Sequence, residues 1–267
     1  MANIFNHSTK DFLIEVRKGN VEGHSIIHKF GHSNDIGQAG WSVISEGEVY
    51  QTPTVATSLE LISGNSADNQ AGVGARSLVV EGLDQNYEFQ SVIALTHATD
   101  GTTAVAIEGT WTRVFRAHVL TSGAYATITT ASHVGALTIR TASAGVTWVS
   151  IPLNNTLAIG QSMIGAYSVP AGKTAYLGNI FLETETGKPV TIIGCKRQNI
   201  DIVTAPFSAI KAFTIFPGLD NSTEDAMNTW RDNLPEKSDI VFLARSQGAT
   251  TEAVSVDFEL LLVDNVI

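Results

Sequence analysis

Alternation of apolar and polar positions is clearest near the C-terminus. Val254, Val256, Phe258, Leu260 and Leu262 fall on one side of the chain, and Ser255, Asp257 and Glu259 on the other. Successive side chains of a β-strand point to opposite faces, so this pattern predicts a half-buried strand running nearly to Ile267. The same period recurs upstream. Between residues 111 and 119 the odd positions carry Trp111, Phe115, Ala117 and Val119, and the even ones Thr112, Arg116 and His118. Val114 breaks the pattern, and Arg113 puts one charge on the apolar side. Leu137 and Ile139, flanked by Ala136, Thr138 and Arg140, predict a short strand. Residues 77–80 and 91–95 predict two more, separated by the turn Gly82-Leu83-Asp84-Gln85-Asn86. Further along, 174–183 and 190–193 read as strands, with turns at Val169-Pro170-Ala171-Gly172 and Thr186-Gly187-Lys188-Pro189. Residues 222–230 allow one helical turn, with Ser222 as a cap and Glu224 and Asp225 in the first turn. That stretch is too short to be a stable helix alone.

Short strands punctuated by Gly, Asp and Ser predict an all-β chain. The expected organisation is two tandem antiparallel β-sandwich or jelly-roll-like domains, at 41–153 and 158–267, joined by Asn154-Asn155-Thr156-Leu157-Ala158-Ile159-Gly160. The first forty residues are polar and glycine-punctuated, with weak alternation over 11–16. They read as an extended N-terminal arm, 1–40, holding at most one or two short strands, which either packs on a neighbouring subunit or lies as a strand along the protein's own sheet.

Composition supports a folded β protein: 43% of residues are apolar and only 16% charged. A disordered chain has the opposite balance. The net charge of −10 argues against a nucleic-acid partner, which needs clustered Lys and Arg against phosphates. No basic segment followed by a long apolar stretch opens the chain, and no window approaches the roughly 18 apolar residues of a membrane span, so no membrane partner is expected. Cys195 is the sole cysteine, which rules out an internal disulfide.

Candidate chemistry is sparse. His24, His28 and His32 are spaced by four residues twice, and on a strand all three share a face. Imidazoles suit zinc or nickel, but Gly23 and Gly31 interrupt the run and the sequence shows no groups to orient the rings. Surface or interface histidines are therefore expected, with no metal and no cofactor. Asp257 and Glu259 sit on the polar side of a strand, and Glu81 and Asp84 flank a glycine turn, so neither pair predicts a hydrolytic cleft. No G-x-S-x-G elbow is present, and Gly72-Val73-Gly74-Ala75-Arg76 lacks the lysine of a phosphate loop. Cys195, beside an apolar strand, reads as a small core residue. Arg113, facing inward, needs a carboxylate partner, because burying an unpaired charge is costly. Arg113 is thus the candidate for an intersubunit or interdomain salt bridge, although an ordinary surface arginine is the more common reading of such a position.

Five segments in order carry a family resemblance. They are Gly19-Asn20-Val21-Glu22-Gly23-His24-Ser25-Ile26-Ile27-His28-Lys29-Phe30-Gly31, Gly72-Val73-Gly74-Ala75-Arg76-Ser77-Leu78-Val79-Val80-Glu81-Gly82-Leu83-Asp84, Trp111-Thr112-Arg113-Val114-Phe115-Arg116-Ala117, Ile164-Gly165-Ala166-Tyr167-Ser168-Val169-Pro170-Ala171-Gly172-Lys173-Thr174-Ala175-Tyr176, and Val256-Asp257-Phe258-Glu259. Together they resemble virion structural proteins of tailed bacteriophages and touch most of the chain between 19 and 263. The resemblance implies a place in the virion, on the capsid surface, after synthesis in the bacterial host cytoplasm, and it carries over no catalytic residue. The expected role is capsid decoration, a cement function in which a homotrimer stabilises contacts between subunits of the major capsid protein. On that view the arm faces the capsid or a neighbour through Arg17, Lys18, His24, His28, Lys29 and Phe30. Two other readings stand beside it. One is a tail or neck connector. The other is a head- or tail-fibre module that binds host surface glycans, with Trp41, Trp148 or Trp230 stacking on sugar rings.

Overall fold

A computed structural model describes residues 11–127, 131–153, 159–185, 187–221, 223–226 and 233–265. One short helix, α1 (Phe12–Arg17), comes first, and the Asp11 side chain caps it by accepting from the Ile14 N–H at 3.1 Å. The strands are β1 (His24–Ile36), β2 (Ser42–Val43), β3 (Thr57–Ser63), β4 (Ala75–Leu83), β5 (Phe89–Leu95), β6 (Val105–Trp111), β7 (Arg113–Ser122), β8 (Leu137–Thr141), β9 (Thr147–Ile151), β10 (Ala166–Ser168), β11 (Lys173–Thr184), β12 (Val190–Arg197), β13 (Lys211–Leu219), β14 (Thr223–Ala226), β15 (Asn233–Leu234), β16 (Asp239–Ser246) and β17 (Glu252–Asp264).

These strands form four antiparallel sheets, which pack as two sandwiches. In the first, the sheet β6-β3-β8-β9 faces the sheet β5-β4-β7. Its core holds Leu59, Leu61, Leu78, Val80, Trp111, Leu137 and Ile139. In the second, β1-β17-β11-β14, with β15 also on β11, faces β10-β16-β12-β13, with β2 on β16. Phe258 from β17 meets Phe242 from β16 at 5.1 Å between ring centroids, at the centre of that core. The alternation of the C-terminal strand explains why it lies mid-sheet: one face buries Val254 to Leu262, while both of its edges carry a partner.

The all-β expectation matches this architecture, but the tandem arrangement and the arm do not. β1 pairs with β17 from His24↔Val263 to Ile36↔Glu252, so residues 24–36 of the expected arm are a sheet strand of the second sandwich. The first sandwich, residues 57–151, is inserted between β2 and β10, and the order is nested. The physical reason lies in the inward side of β1, where Lys29, Gly31 and Ser33 separate the apolar positions Ile27 and Ile36. Gly31 sits there because β1 crosses the two connections between the sandwiches. A Cβ at that position would lie 2.2 Å from both the Gly165 nitrogen and the Ile44 oxygen. Those connections are stitched together beneath it by Gly165 N–H to Ile44 O at 2.8 Å and Ile44 N–H to Phe242 O at 3.0 Å.

Two smaller expectations change as well. Residues 223–226 are the strand β14, hydrogen-bonded along β11 from Glu183↔Thr223 to Ile180↔Ala226, because the edge of β11 offers pairing that a single helical turn cannot match. The remainder of the expected helical turn, at 222 and 227–230, lies outside the described residues, as do 154–158 of the expected linker and residues 1–10 of the expected arm.

Candidate functional site

The residues expected to form a capsid- or neighbour-binding arm are placed very differently from one another. Arg17 donates to the Glu259 carboxylate, and Lys18 pairs with Glu15 at 2.9 Å. His24 Nδ1 is 2.8 Å from the Glu22 carbonyl, and its ring meets Phe12 edge-on at 5.8 Å. His28 Nε2 is 2.7 Å from Asp257 Oδ1. Phe30 is half-buried in a groove described below. His24, His28 and His32 do share the outer face of β1, yet four strand residues span about 13 Å, too far for one ion to join neighbouring rings. Among the described residues no group of three His, Cys, Asp or Glu could hold a metal.

Lys29 faces the other way and is buried, so it cannot touch a partner surface. Its Nζ donates to the Phe115 carbonyl on β7 and lies 5.9 Å from the centroid of the Phe115 ring. Burial first, and then the neighbouring Arg116, hold its pKa well below the usual lysine value, with Glu81 opposing. Phe115 in turn packs on Tyr167 at 4.6 Å between centroids. This is a seam between the two sandwiches, made by β7 of the first and by β1 and β10 of the second.

Arg113 anchors the same junction. Its Nε and Nη2 bind the two oxygens of Asp239 at 2.9 and 2.8 Å, and its Nη1 donates to the Thr112 carbonyl at 2.7 Å. Arg113 is 2% exposed and Asp239 5%. Asp239 also accepts from the Ser168 hydroxyl, which lies 2.6 Å from the Tyr50 hydroxyl. Burial, reinforced by the Asp239 charge, pushes the Tyr50 pKa far up. For Arg113, burial alone pulls the pKa down, but the Asp239 hydrogen bonds and charge outweigh it and the net direction is up. Asp239 carried no signal in the sequence, because Ser238-Asp239 looks like any turn-to-strand boundary. Cys195 is buried on β12, where desolvation raises its thiol pKa.

Several surfaces are open among the described residues, Phe89, Ile93 and Leu95 on the edge strand β5 among them, and two have the composition or shape of a binding face. The first combines β13, an edge strand, with the loop before it. Every residue over 201–207 is exposed, and the stretch from 201 to 219 holds Ile202, Val203, Phe207, Ile210 and Ile215 on the surface, with only Asp201 and Lys211 charged. The sequence reading passed over this stretch. Its signal was a long run with almost no charge, which reads equally well as core. The second surface is a groove of about 560 Å³ over β17, bounded by β1 and β11. Phe30, Asp257 and Phe181 form one cross-strand row there, and His32, Ser255 and Glu183 the next. Glu46 and Met163 complete the wall where the connections between the sandwiches pass.

No protein-family model matches the chain, and no curated protein matches it. Among solved structures it is similar to particles of infectious bursal disease virus. T=1 particles derived from that virus align at 10% identity over 92% of this chain and 75% of theirs, with a TM-score of 0.23. The Gx strain aligns at 10% identity over 91% and 71%, with a TM-score of 0.26. A VP2 subviral particle aligns at 9% identity over 96% and 78%, with a TM-score of 0.22. At these scores no residue of this chain takes a role from its counterpart there.

Proposed function

We propose that this chain is a non-enzymatic structural protein of a tailed-bacteriophage virion, and that it decorates the capsid, binding as a homotrimer at contacts between subunits of the major capsid protein. One observation carries the assembly part of this reading: the apolar loop at 201–210 and the adjoining edge strand β13. Contiguous exposed apolar surface with almost no charge is rare on a protein that acts alone, and an open sheet edge beside it invites association. The virion part is supported by the ordered run of phage-like segments between residues 19 and 263.

The mechanism is binding. Standard protein interfaces bury on the order of 1,600 Å² in total, and symmetric repetition over a shell multiplies a modest contact. Two sandwiches locked by buried Arg113–Asp239 and Lys29–Phe115 contacts would bear load between neighbouring capsid subunits without hinging. The docking surface of this reading is the loop and β13, where Ile202, Val203, Phe207, Ile210 and Ile215 are exposed.

Immunogold electron microscopy of intact phage particles, with an antibody raised against this chain, tests the proposal. Label spread over the heads is the expected result. Label confined to the tail or neck discards decoration in favour of a connector or receptor-binding role.

A further inference from the structure

We propose that the groove over β17 binds an extended segment of a partner polypeptide that carries a lysine or arginine flanked by apolar residues. The assignment stands on the groove itself and goes beyond the virion reading. Neighbouring strands lie about 4.8 Å apart, so Phe30 on β1 and Phe181 on β11 stand about 10 Å apart across β17, as two aromatic walls. The floor between them is Asp257 and the small Ser255. That spacing admits a polypeptide side chain and its stem, and aromatic walls favour a cation between them.

Charge decides the occupant. Glu46, Glu183 and Asp257 all line the groove, and no lysine or arginine lines it among the described residues. Asp257 is bonded to His28, whereas the side-chain carboxylates of Glu46 and Glu183 make no hydrogen bond or ion pair among the described residues. Burial raises the pKa of Glu46, with His32 opposing and Asp35 adding to the rise, the mark of a carboxylate short of counter-charge. A cationic side chain would answer that shortage, and its apolar neighbours would cover Phe30 and Phe181. A neutral glycan would supply hydroxyl donors but leave the charge uncompensated.

The full-length chain can be titrated, by fluorescence anisotropy, against a labelled decapeptide alternating lysine and alanine, with a glutamine–alanine decapeptide as the neutral control. Saturable binding of the lysine peptide alone is expected. Glu46→Gln with Glu183→Gln should weaken it about tenfold, and Phe181→Ala about threefold. Glu88→Gln with Glu108→Gln, exposed positions on the first sandwich, changes net charge equally and should leave binding unaltered. No saturable binding, or equal weakening by both double variants, overturns the assignment. Cellotetraose that binds wild type and is lost with Phe181→Ala gives the groove to a glycan instead, which also overturns it. None of these readouts involves particles, so their failure leaves the decoration proposal standing or falling on its own test.

Discussion

Arg113 and Asp239, 126 positions apart in sequence, meet through two parallel hydrogen bonds of 2.9 and 2.8 Å at the buried junction of the two sandwiches. Deleting one partner strands the other charge away from water. Arg113→Ala should therefore cost about 3–5 kcal/mol in urea unfolding. Arg113→Lys should also be costly, because an ammonium cannot match the two-pronged carboxylate geometry. Arg113→Met combined with Asp239→Leu should recover most of the loss, since no charge is then left buried alone. A loss below about 1 kcal/mol for Arg113→Ala would place the pair among contacts that contribute little.

Asp68 makes a second buried carboxylate site, at the loop end of the first sandwich. Its Oδ1 accepts from the Ala75 and Val134 N–H groups, both at 2.8 Å, and its Oδ2 accepts from Gly135 N–H at 2.7 Å and from the Ser63 hydroxyl at 2.5 Å. Four donors converge on one acceptor-only group. Asp68→Asn would turn an NH₂ group toward donors on one side, so a loss of about 2–3 kcal/mol is expected. Hydrogen exchange should show the change first at Ala75, Val134 and Gly135. Protection unchanged at all three amides would mean that the loops hold without this carboxylate.

Lys29 gives a pH signature. Its folded-state pKa lies below the unfolded value, chiefly through burial. Between those two values the unfolded chain holds more protons, so this residue makes stability rise with pH. Lys29→Met removes the titration. Wild-type stability measured relative to the variant should thus increase as the pH rises toward the unfolded lysine value of about 10.4. The comparison cancels the contribution of Tyr50, Tyr87 and Tyr167, whose raised pKa values act in the opposite direction above their unfolded values. Parallel pH profiles for the two proteins would show that Lys29 stays protonated in the fold.

The parts of this structure that sequence reveals are those where one side chain in two meets the core. β17 announces itself through Val254, Val256, Phe258, Leu260 and Leu262, and all five are buried. β1 does not, because its inner residues serve a seam. Lys29 reaches a carbonyl, Gly31 makes room for two crossing connections, and Ser33 is small. Between Ile27 and Ile36 the apolar stripe of β1 is interrupted, and its pairing with β17, more than two hundred positions away, defines it. Arg113 was legible as an inward charge in need of a partner. Asp239 was not, since a partner supplied from another sheet leaves no local pattern. The groove was illegible for the same reason: Phe30, Asp257 and Phe181 come from three distant segments and meet only through strand register.

The loop at 201–210 and β13 yield the prediction that bears most directly on function. Phe207, Ile210 and Ile215 are each more than half exposed, so they contribute little to the folded chain alone. Replacing all three by serine should change unfolding stability by less than about 1 kcal/mol, as expected for surface positions. If this surface is the one that assembles, the same variant should lose association. In analytical ultracentrifugation the wild type should sediment as a trimer and the variant as a monomer. In co-sedimentation with particles stripped of this chain, the variant should stay in the supernatant. The two readouts separate the roles of the patch. Loss of the trimer alone assigns it to contacts between copies, whereas loss of particle binding with the trimer intact assigns it to the capsid. A variant that still trimerises and still sediments with heads removes the loop and β13 from the assembly mechanism, and with them the observation on which the decoration proposal stands.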